Sequence, residues 1–301
     1  LSKKHLIVLL GPTGVGKTAA SISISKKFDA PIISADSRQF FREMYIGTAA
    51  PSPEQLFAAP HYLIGHKSIT ERYSCGMFEI EAIDLLEQLY QTHNSALLVG
   101  GSMLYIDAIC KGMDNFPAPD PELRKSLEKQ LKEGGIEVLR AQLKLLDPIH
   151  YSQVDLKNSK RILKAVEVSL QTGKPYSSFL TDPKKERPFH QIKIGLNRPR
   201  EELYEQINQR VDQMIVAGLV AEAQGLYPFR SHNALKTVGY REIFEHLDGN
   251  ISLEKAIELI KRNSRHYAKR QLTWWARDNE IEWFHPDDIE GMIRYVNECI
   301  Q

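Results

Sequence analysis

The stretch that most constrains this chain is Gly11-Pro12-Thr13-Gly14-Val15-Gly16-Lys17-Thr18. It fits the pattern G-x-x-x-x-G-K-[ST]. Its flanks give the pattern meaning: the apolar run Leu6-Ile7-Val8-Leu9-Leu10 precedes it, and the helix start Ala19-Ala20-Ser21-Ile22 follows. In a strand, glycine loop and helix of this kind, backbone N–H groups and the positive end of the helix dipole converge on an anion. Lys17 adds a point charge, and the Thr18 hydroxyl is suited to holding Mg²⁺. The motif calls for a di- or triphosphate. It leaves open whether that phosphate belongs to a nucleotide.

The remaining sequence bounds the classes available. A chain of 301 residues can bury a large core in one or two domains. With a net charge of +1, any nucleic-acid surface has to be local. No apolar run approaches the roughly 20 residues needed to span a membrane, and the chain enters a strand almost at once, so neither membrane nor signal segment is expected. Cys75, Cys110 and Cys299 form no C-x-x-C pair, which argues against a zinc ribbon or disulfide framework and fits a reducing cytoplasm.

Apolar periodicity predicts strands at about 5–10, 31–34 and 96–99, with another short one near 61–66. The intervening segments 17–28, 78–90 and 103–110 read as helices. Alternation of this kind means a parallel, doubly wound α/β sheet. From Pro117 the pattern turns helical, with helices at 121–133, 136–146 and 159–172 punctuated by Gly134-Gly135, Asp147-Pro148 and Gly173-Lys174-Pro175. Basic residues, among them Lys157, Lys174 and Lys184, outnumber acidic ones between Asp155 and Arg200. A strand at 191–196, helices at 201–217, 221–227 and 252–276, a strand at 281–284 and a closing helix complete the chain. The expected organisation is a P-loop NTPase-like core begun by residues 1–116, a mainly helical insertion at 117–190, and completion of the core with basic helices over 191–301.

Three further places carry candidate chemistry. Asp36 follows the strand beside the phosphate loop, where open α/β sheets bind ligands. It reads as a water-mediated Mg²⁺ partner, as a general base facing an acceptor, or as a turn cap. Gly100-Gly101-Ser102 closes the 96–99 strand without a carboxylate, which weakens an ATPase or GTPase reading. The two glycines permit close backbone approach, and the Ser102 hydroxyl either reaches a ligand or caps a turn. From Lys261 to Arg277 no acid interrupts Lys261, Arg262, Arg265, Lys269, Arg270 and Arg277, and His266, Tyr267, Trp274 and Trp275 are interleaved. Phosphate attraction combined with aromatic stacking is the chemistry of single-stranded nucleic-acid binding. The plainer reading is a solvated basic face over core tryptophans.

Together these residues resemble the tRNA dimethylallyltransferase (isopentenyl-tRNA transferase) family, bacterial type, nearly end to end. The resemblance rests on the phosphate loop, Ile33-Ser34-Ala35-Asp36-Ser37-Arg38-Gln39, Ile46-Gly47-Thr48-Ala49, Val99-Gly100-Gly101-Ser102-Met103-Leu104-Tyr105 and Asp120-Pro121-Glu122-Leu123-Arg124. It continues through Lys160-Arg161-Ile162-Leu163-Lys164, Asn208-Gln209-Arg210, Thr237-Val238-Gly239-Tyr240-Arg241 and Ala268-Lys269-Arg270-Gln271-Leu272-Thr273-Trp274. The loop alone is common to many enzymes; the ordered set is specific.

The resemblance implies transfer of a dimethylallyl group from dimethylallyl diphosphate to N6 of the adenine 3′-adjacent to a tRNA anticodon, with diphosphate released. It implies Gly11 to Thr18 and Arg210 as the diphosphate cradle, Thr18 as the Mg²⁺ ligand, and Asp36, Ser102, Lys17 and Arg210 as the catalytic set. It further implies tRNA contacts from Asp36, Ser37, Arg38, Gln39 and Ser102, from Arg124, and from Lys160, Arg161, Ile162, Leu163 and Lys164. The remaining implied contacts are Lys236, Thr237, Val238, Gly239, Tyr240 and Arg241, with Lys269, Arg270, Gln271, Leu272, Thr273, Trp274, Trp275 and Ala276. A cytoplasmic monomer acting on the anticodon stem-loop is expected. The sequence departs from the family at Ser102, where Thr is usual, at Ser159 and Lys160, where Asp and Gln are frequent, and at Lys236, where Arg or Gln is frequent; these bear on the detail of tRNA contact.

Overall fold

The computed structural model describes residues 3–180 and 185–301, so Lys184 of the basic insertion lies outside the described residues. The strands are β1 (His5–Leu10), β2 (Ile32–Ser34), β3 (His61–Tyr62), β4 (Ser95–Gly100), β5 (His190–Leu196) and β6 (Glu282–Phe284). They form one sheet, ordered β3-β2-β4-β1-β5-β6, with every pairing parallel. The apolar run of β1 has its explanation here. Leu6, Val8 and Leu10 enter one core cluster while Ile7 and Leu9 enter another. Successive side chains alternate between the faces of a strand, and a parallel sheet covered on both faces needs apolar residues on each.

The first compact unit, Leu1–Cys110 with Glu186–Gln301, contains this sheet. Its helices are α1 (Lys17–Phe28), α2 (Pro53–Ala58), α3 (Cys75–Leu89) and α4 (Met103–Cys110) before the insertion. The second unit, Lys111–Lys185, holds α5 (Pro121–Leu146), α6 (Pro148–Gln153) and α7 (Ser159–Thr172). After it the first unit resumes with α8 (Arg200–Val216), α9 (Leu219–Leu226), α10 (Tyr240–Leu247), α11 (Leu253–Trp275) and α12 (Ile289–Ile300). The chain leaves and re-enters the first unit at 110/111 and 185/186, a few residues before the boundaries expected from composition. By Arg187 it is tied back: that guanidinium bonds Glu79 and the carbonyls of Ala108 and Ile109, and Phe189 is buried in the core.

Within the second unit α5 is two helical segments meeting at Gly135, whose φ of 71° and ψ of −176° interrupt the helix where the double glycine falls. Its core is Leu127, Leu139 and Leu143 packed on Ile162, Leu163, Ala165 and Val166 of α7. Three α-helices among the described residues lacked an expectation. α6 is opened by Asp147, whose side chain accepts the His150 N–H at 2.9 Å, with Pro148 in its first turn. α2 is opened by a capping box between Ser52 and Gln55 with Pro53 in its first turn, a signal present in the sequence. α10 is a short amphipathic helix whose buried side, Tyr240, Ile243 and Phe244, belongs to a third core cluster shared with α9 and α11.

Candidate active site

Strands β2, β4 and β1 are neighbours, so their carboxyl ends put three segments distant in sequence side by side: the phosphate loop, the Asp36 turn and Gly100-Gly101-Ser102. Close approach is built in. A Cβ on Gly100 would lie 2.3 Å from the Ala35 carbonyl oxygen, and one on Gly11 2.8 Å from that of Leu196. Gly16, at φ 109°, precedes α1 and supplies no side-chain cap, and the first turn of α1 carries no acid. That helix end therefore keeps its N–H groups and dipole for an external anion. The Lys17 ammonium donates to the Gly11 and Pro12 carbonyls at 2.9 Å each. Burial and then the nearby Arg210 charge push Lys17 down to about 7, opposed by Asp36.

Asp36 caps its own turn: Oδ1 accepts the backbone N–H of Arg38 at 2.9 Å and of Gln39 at 3.4 Å. The cap reading and the functional one coexist, because the carboxylate also lines both cavities described below. Ser102 is buried, and its Oγ accepts the Ser37 N–H at 2.8 Å. It thus stands behind the Asp36 turn and holds it. Gln39 is likewise a brace, its amide donating to the Thr48 and Ala49 carbonyls while its oxygen accepts from Ser34. Arg38 reaches the Asn233 carbonyl at 3.2 Å.

Two cavities meet at this point. One, of about 290 Å³, is lined by Thr13, Gly14, Gly16, Lys17, Thr18 and Gly101 with Asp36, Gln209 and Arg210. The other, of about 220 Å³, is lined by Ser37, Arg38, Gly47 and Thr48 with Thr237, Val238 and Gly239, and has an apolar wall of Ile207, Val211, Met214 and Ile260. Thr13, Asp36, Arg210 and Tyr267 line both. Arg210 is the dominant charge at the junction. Its Nη2 reaches the Thr48 carbonyl at 3.4 Å, and its Nε is buried with no hydrogen-bond partner. Burial presses the guanidinium below its usual range, and Asp36 opposes this. A buried donor left unpaired is costly unless a ligand atom completes it.

Among the described residues no three or more His, Cys, Asp or Glu side chains gather as a metal cage. A divalent ion would take most of its ligands from phosphate oxygens and water, the usual mode for Mg²⁺, with the Thr18 hydroxyl as the protein donor in the same cavity. That donor set fits.

The basic helix α11 divides by face. Arg262, His266, Lys269, Arg270, Thr273 and Ala276 are exposed. The aromatics do not form an open stacking row. Trp275 is 2% exposed in the core, Trp274 donates its indole N–H to Asp107, Leu272 packs against the sheet, and Tyr267 reaches the Gly101 carbonyl. Gln271 is 1% exposed and braces the phosphate loop. These four side chains, Trp274, Trp275, Leu272 and Gln271, are therefore packing and bracing groups, because side chains enclosed at i, i+3 and i+4 positions form the inner stripe of the helix.

The 237–239 segment lines the second cavity, flanked by exposed Lys236 and Arg241, while Tyr240 is fully buried. In the second unit Lys160 and Arg161 are exposed. Ile162 and Leu163 are buried core residues. Arg124 bonds the buried Glu167 at 2.8 Å, and Lys164 lies 3.7 Å from the same carboxylate.

Sequence reasoning missed Tyr267 as a lining residue, though it stands four positions before Gln271 on the inner stripe, and missed Glu222 altogether. Glu222 sits on α9 in an unremarkable Ala-Glu-Ala context.

The sequence profile described as IPP transferase matches residues 39–278. The tRNA dimethylallyltransferase 1 of Bacteroides fragilis is 52% identical over 301 residues, covering 100% of both chains. The tRNA dimethylallyltransferase 2 of Parabacteroides distasonis is 51% identical over 295 residues, covering 98% of this chain and 99% of that one. Among solved structures, the tRNA isopentenylpyrophosphate transferase of Bacillus halodurans superposes with a TM-score of 0.74 at 34% identity, covering 99% of this chain and 97% of that one. A eukaryotic dimethylallyltransferase acting on tRNA shares the fold, with a TM-score of 0.83 at 24% identity over 98% of this chain and 77% of that one.

Proposed function

Since this chain belongs to the IPP transferase family of tRNA dimethylallyltransferases, we propose that its two joined cavities are the donor and acceptor ends of one prenyl-transfer site. The reaction moves a dimethylallyl group from dimethylallyl diphosphate to N6 of the adenine 3′-adjacent to the anticodon and releases diphosphate. The observation that carries the assignment is the shared lining: Asp36 and Arg210 belong to both cavities at once.

The chemistry follows from that placement. As the allylic C–O bond breaks, negative charge grows on the diphosphate. The α1 amides, Lys17 and the unpaired Arg210 Nε are donors aimed at that charge, so they stabilise the transition state more than the ground state. Mg²⁺ bound with the diphosphate would add Lewis-acid neutralisation there, held by Thr18. The adenine amine is a weak nucleophile because its lone pair is delocalised into the ring. As N6 bonds to the allyl carbon its proton passes to Asp36, whose carboxylate faces the junction. To reach it, the base leaves its stack and enters the second cavity past Thr237 to Gly239. Exposed Lys269 and Arg270, and Lys160 and Arg161 of the insertion, supply phosphate contacts for the stem-loop. In this reading the protein acts as a monomer. No helix among the described residues is long and apolar enough to cross a membrane, and a tRNA substrate supports action in the cytoplasm.

Incubation with labelled dimethylallyl diphosphate and an unmodified anticodon stem-loop tests the reading. Label should appear in the RNA with release of diphosphate. Tight ATP binding in the cradle without transfer of label would overturn it.

A further inference from the structure

The turn at residues 45–50 gives Ala49 to the first cavity and Gly47 and Thr48 to the second. Ala49 sits at φ 46°, a left-handed conformation that a residue with a side chain holds only when its surroundings impose it. The turn's own bonds impose it, the Ala49 N–H to the Ile46 carbonyl at 2.9 Å and the Ala50 N–H to the Tyr45 carbonyl at 3.1 Å, while the start of the turn is held from another part of the chain. The Glu222 carboxylate on α9 accepts the Ile46 N–H on Oε2 at 2.7 Å, and on Oε1 the Gly47 N–H at 2.9 Å and the Tyr240 hydroxyl at 2.6 Å. Tyr240 is fully buried and directly follows Thr237 to Gly239 of the second cavity. Its ring packs so close to Gly47 that a Cβ there would lie 2.6 Å away. One carboxylate therefore fixes both the Gly47–Thr48 wall and the Val238–Gly239 wall. Beyond Gly47, the Thr48 carbonyl receives Arg210.

We propose that Glu222 is a positioning residue for the transfer reaction: by holding the 46–48 backbone it sets the carbonyl against which Arg210 is oriented, and through Arg210 it acts on the diphosphate end. The inference rests on the reading above. Glu222 touches neither substrate. Its effect appears in turnover and donor use, not in tRNA affinity, and it requires Arg210.

The test is a double-mutant cycle with the full chain and the stem-loop substrate. Glu222→Gln is isosteric but sets an amide donor against a backbone or hydroxyl donor. It should lower kcat by about 10²-fold, the cost of misplacing a group by roughly an ångström, while tRNA Kd stays within about threefold and the protein remains folded by circular dichroism. In an Arg210→Ala background the same substitution should cost under about threefold, because the group it positions is gone. Should Glu222→Gln not fold, Tyr240→Phe carries the cycle: it removes one of the three bonds, and its smaller loss of kcat should vanish in the Arg210→Ala background. Additive losses, or a loss confined to tRNA Kd, would overturn the inference while wild-type transfer and the Arg210→Ala defect leave the proposed function standing. Absence of transfer by the wild type would remove both.

Discussion

Thr13 and Gln271 stand 258 residues apart in sequence, yet the Thr13 N–H donates to the Gln271 side-chain oxygen at 2.9 Å. The same amide donates through Nε2 to the Gly101 carbonyl at 2.7 Å. One buried side chain thus sets the distance between the phosphate loop and the turn after β4, from a helix whose opposite face carries Lys269 and Arg270.

Replacing that amide separates its two bonds. In Gln271→Glu the acceptor for Thr13 survives, but a carboxylate cannot donate to Gly101; Gln271→Leu removes both. The Thr13 N–H left buried and unpaired costs about 1–3 kcal/mol, and the Gly101 carbonyl keeps only its longer bond from Tyr267, so the Leu variant should melt lower than wild type in a thermal scan. Its KM for dimethylallyl diphosphate should rise while tRNA Kd stays near wild type. A donor KM equal to wild type would show that the brace does not shape the cradle.

Lys17 gives a pH dependence with a defined sign. Its ammonium is held down to about 7 in the folded protein against an ordinary value of 10.5. Between those values the unfolded chain binds more protons, so stability rises with pH across the window. Unliganded wild type should gain stability relative to Lys17→Met as pH rises from about 7 toward 10. A bound diphosphate reverses the preference by favouring the charged amine. Pyrophosphate binding at pH 8 should then take up protons, read as a heat of binding that depends on the buffer in calorimetry. A heat independent of buffer would contradict this.

Asp36 is asked to do two things, and one substitution separates them. Asn keeps an oxygen that can accept the Arg38 and Gln39 N–H groups, so the turn survives. It cannot take a proton from N6. Asp36→Asn should lose about 10²–10⁴-fold in turnover, the usual contribution of a general base, with an unchanged melting temperature and tRNA affinity within tenfold (about 1.4 kcal/mol). Turnover close to wild type would remove Asp36 from the proton path.

The two faces of α11 should respond differently. Arg270→Ala, on the exposed face, should weaken tRNA binding and reduce the slope of log K against log salt by about 1. Trp275→Ala empties a core site and should cost about 3–5 kcal/mol of stability with little change in that slope. Filter-binding titrations at several salt concentrations and denaturant unfolding distinguish them.

Much of this was legible without coordinates because its causes are local. The phosphate loop, the buried runs at Leu6 to Leu10 and Ala96 to Leu98, and the double glycine that breaks α5 are each written in consecutive residues. Local sterics and burial decide them. Neighbouring residues alone specify an anion cradle opening a parallel α/β core interrupted by a helical insertion, and an Asp36 that follows a strand. Tertiary structure alone decided which strand ends are neighbours and therefore what Asp36 faces. It also decided that Trp275 and Gln271 point inward while Lys269 and Arg270 do not, and that Glu222 on α9 is the carboxylate fixing the cavity walls. Those facts depend on contacts between residues far apart in the chain, where the partner of a buried polar group is fixed by the packing of whole elements and leaves no trace in its own neighbourhood.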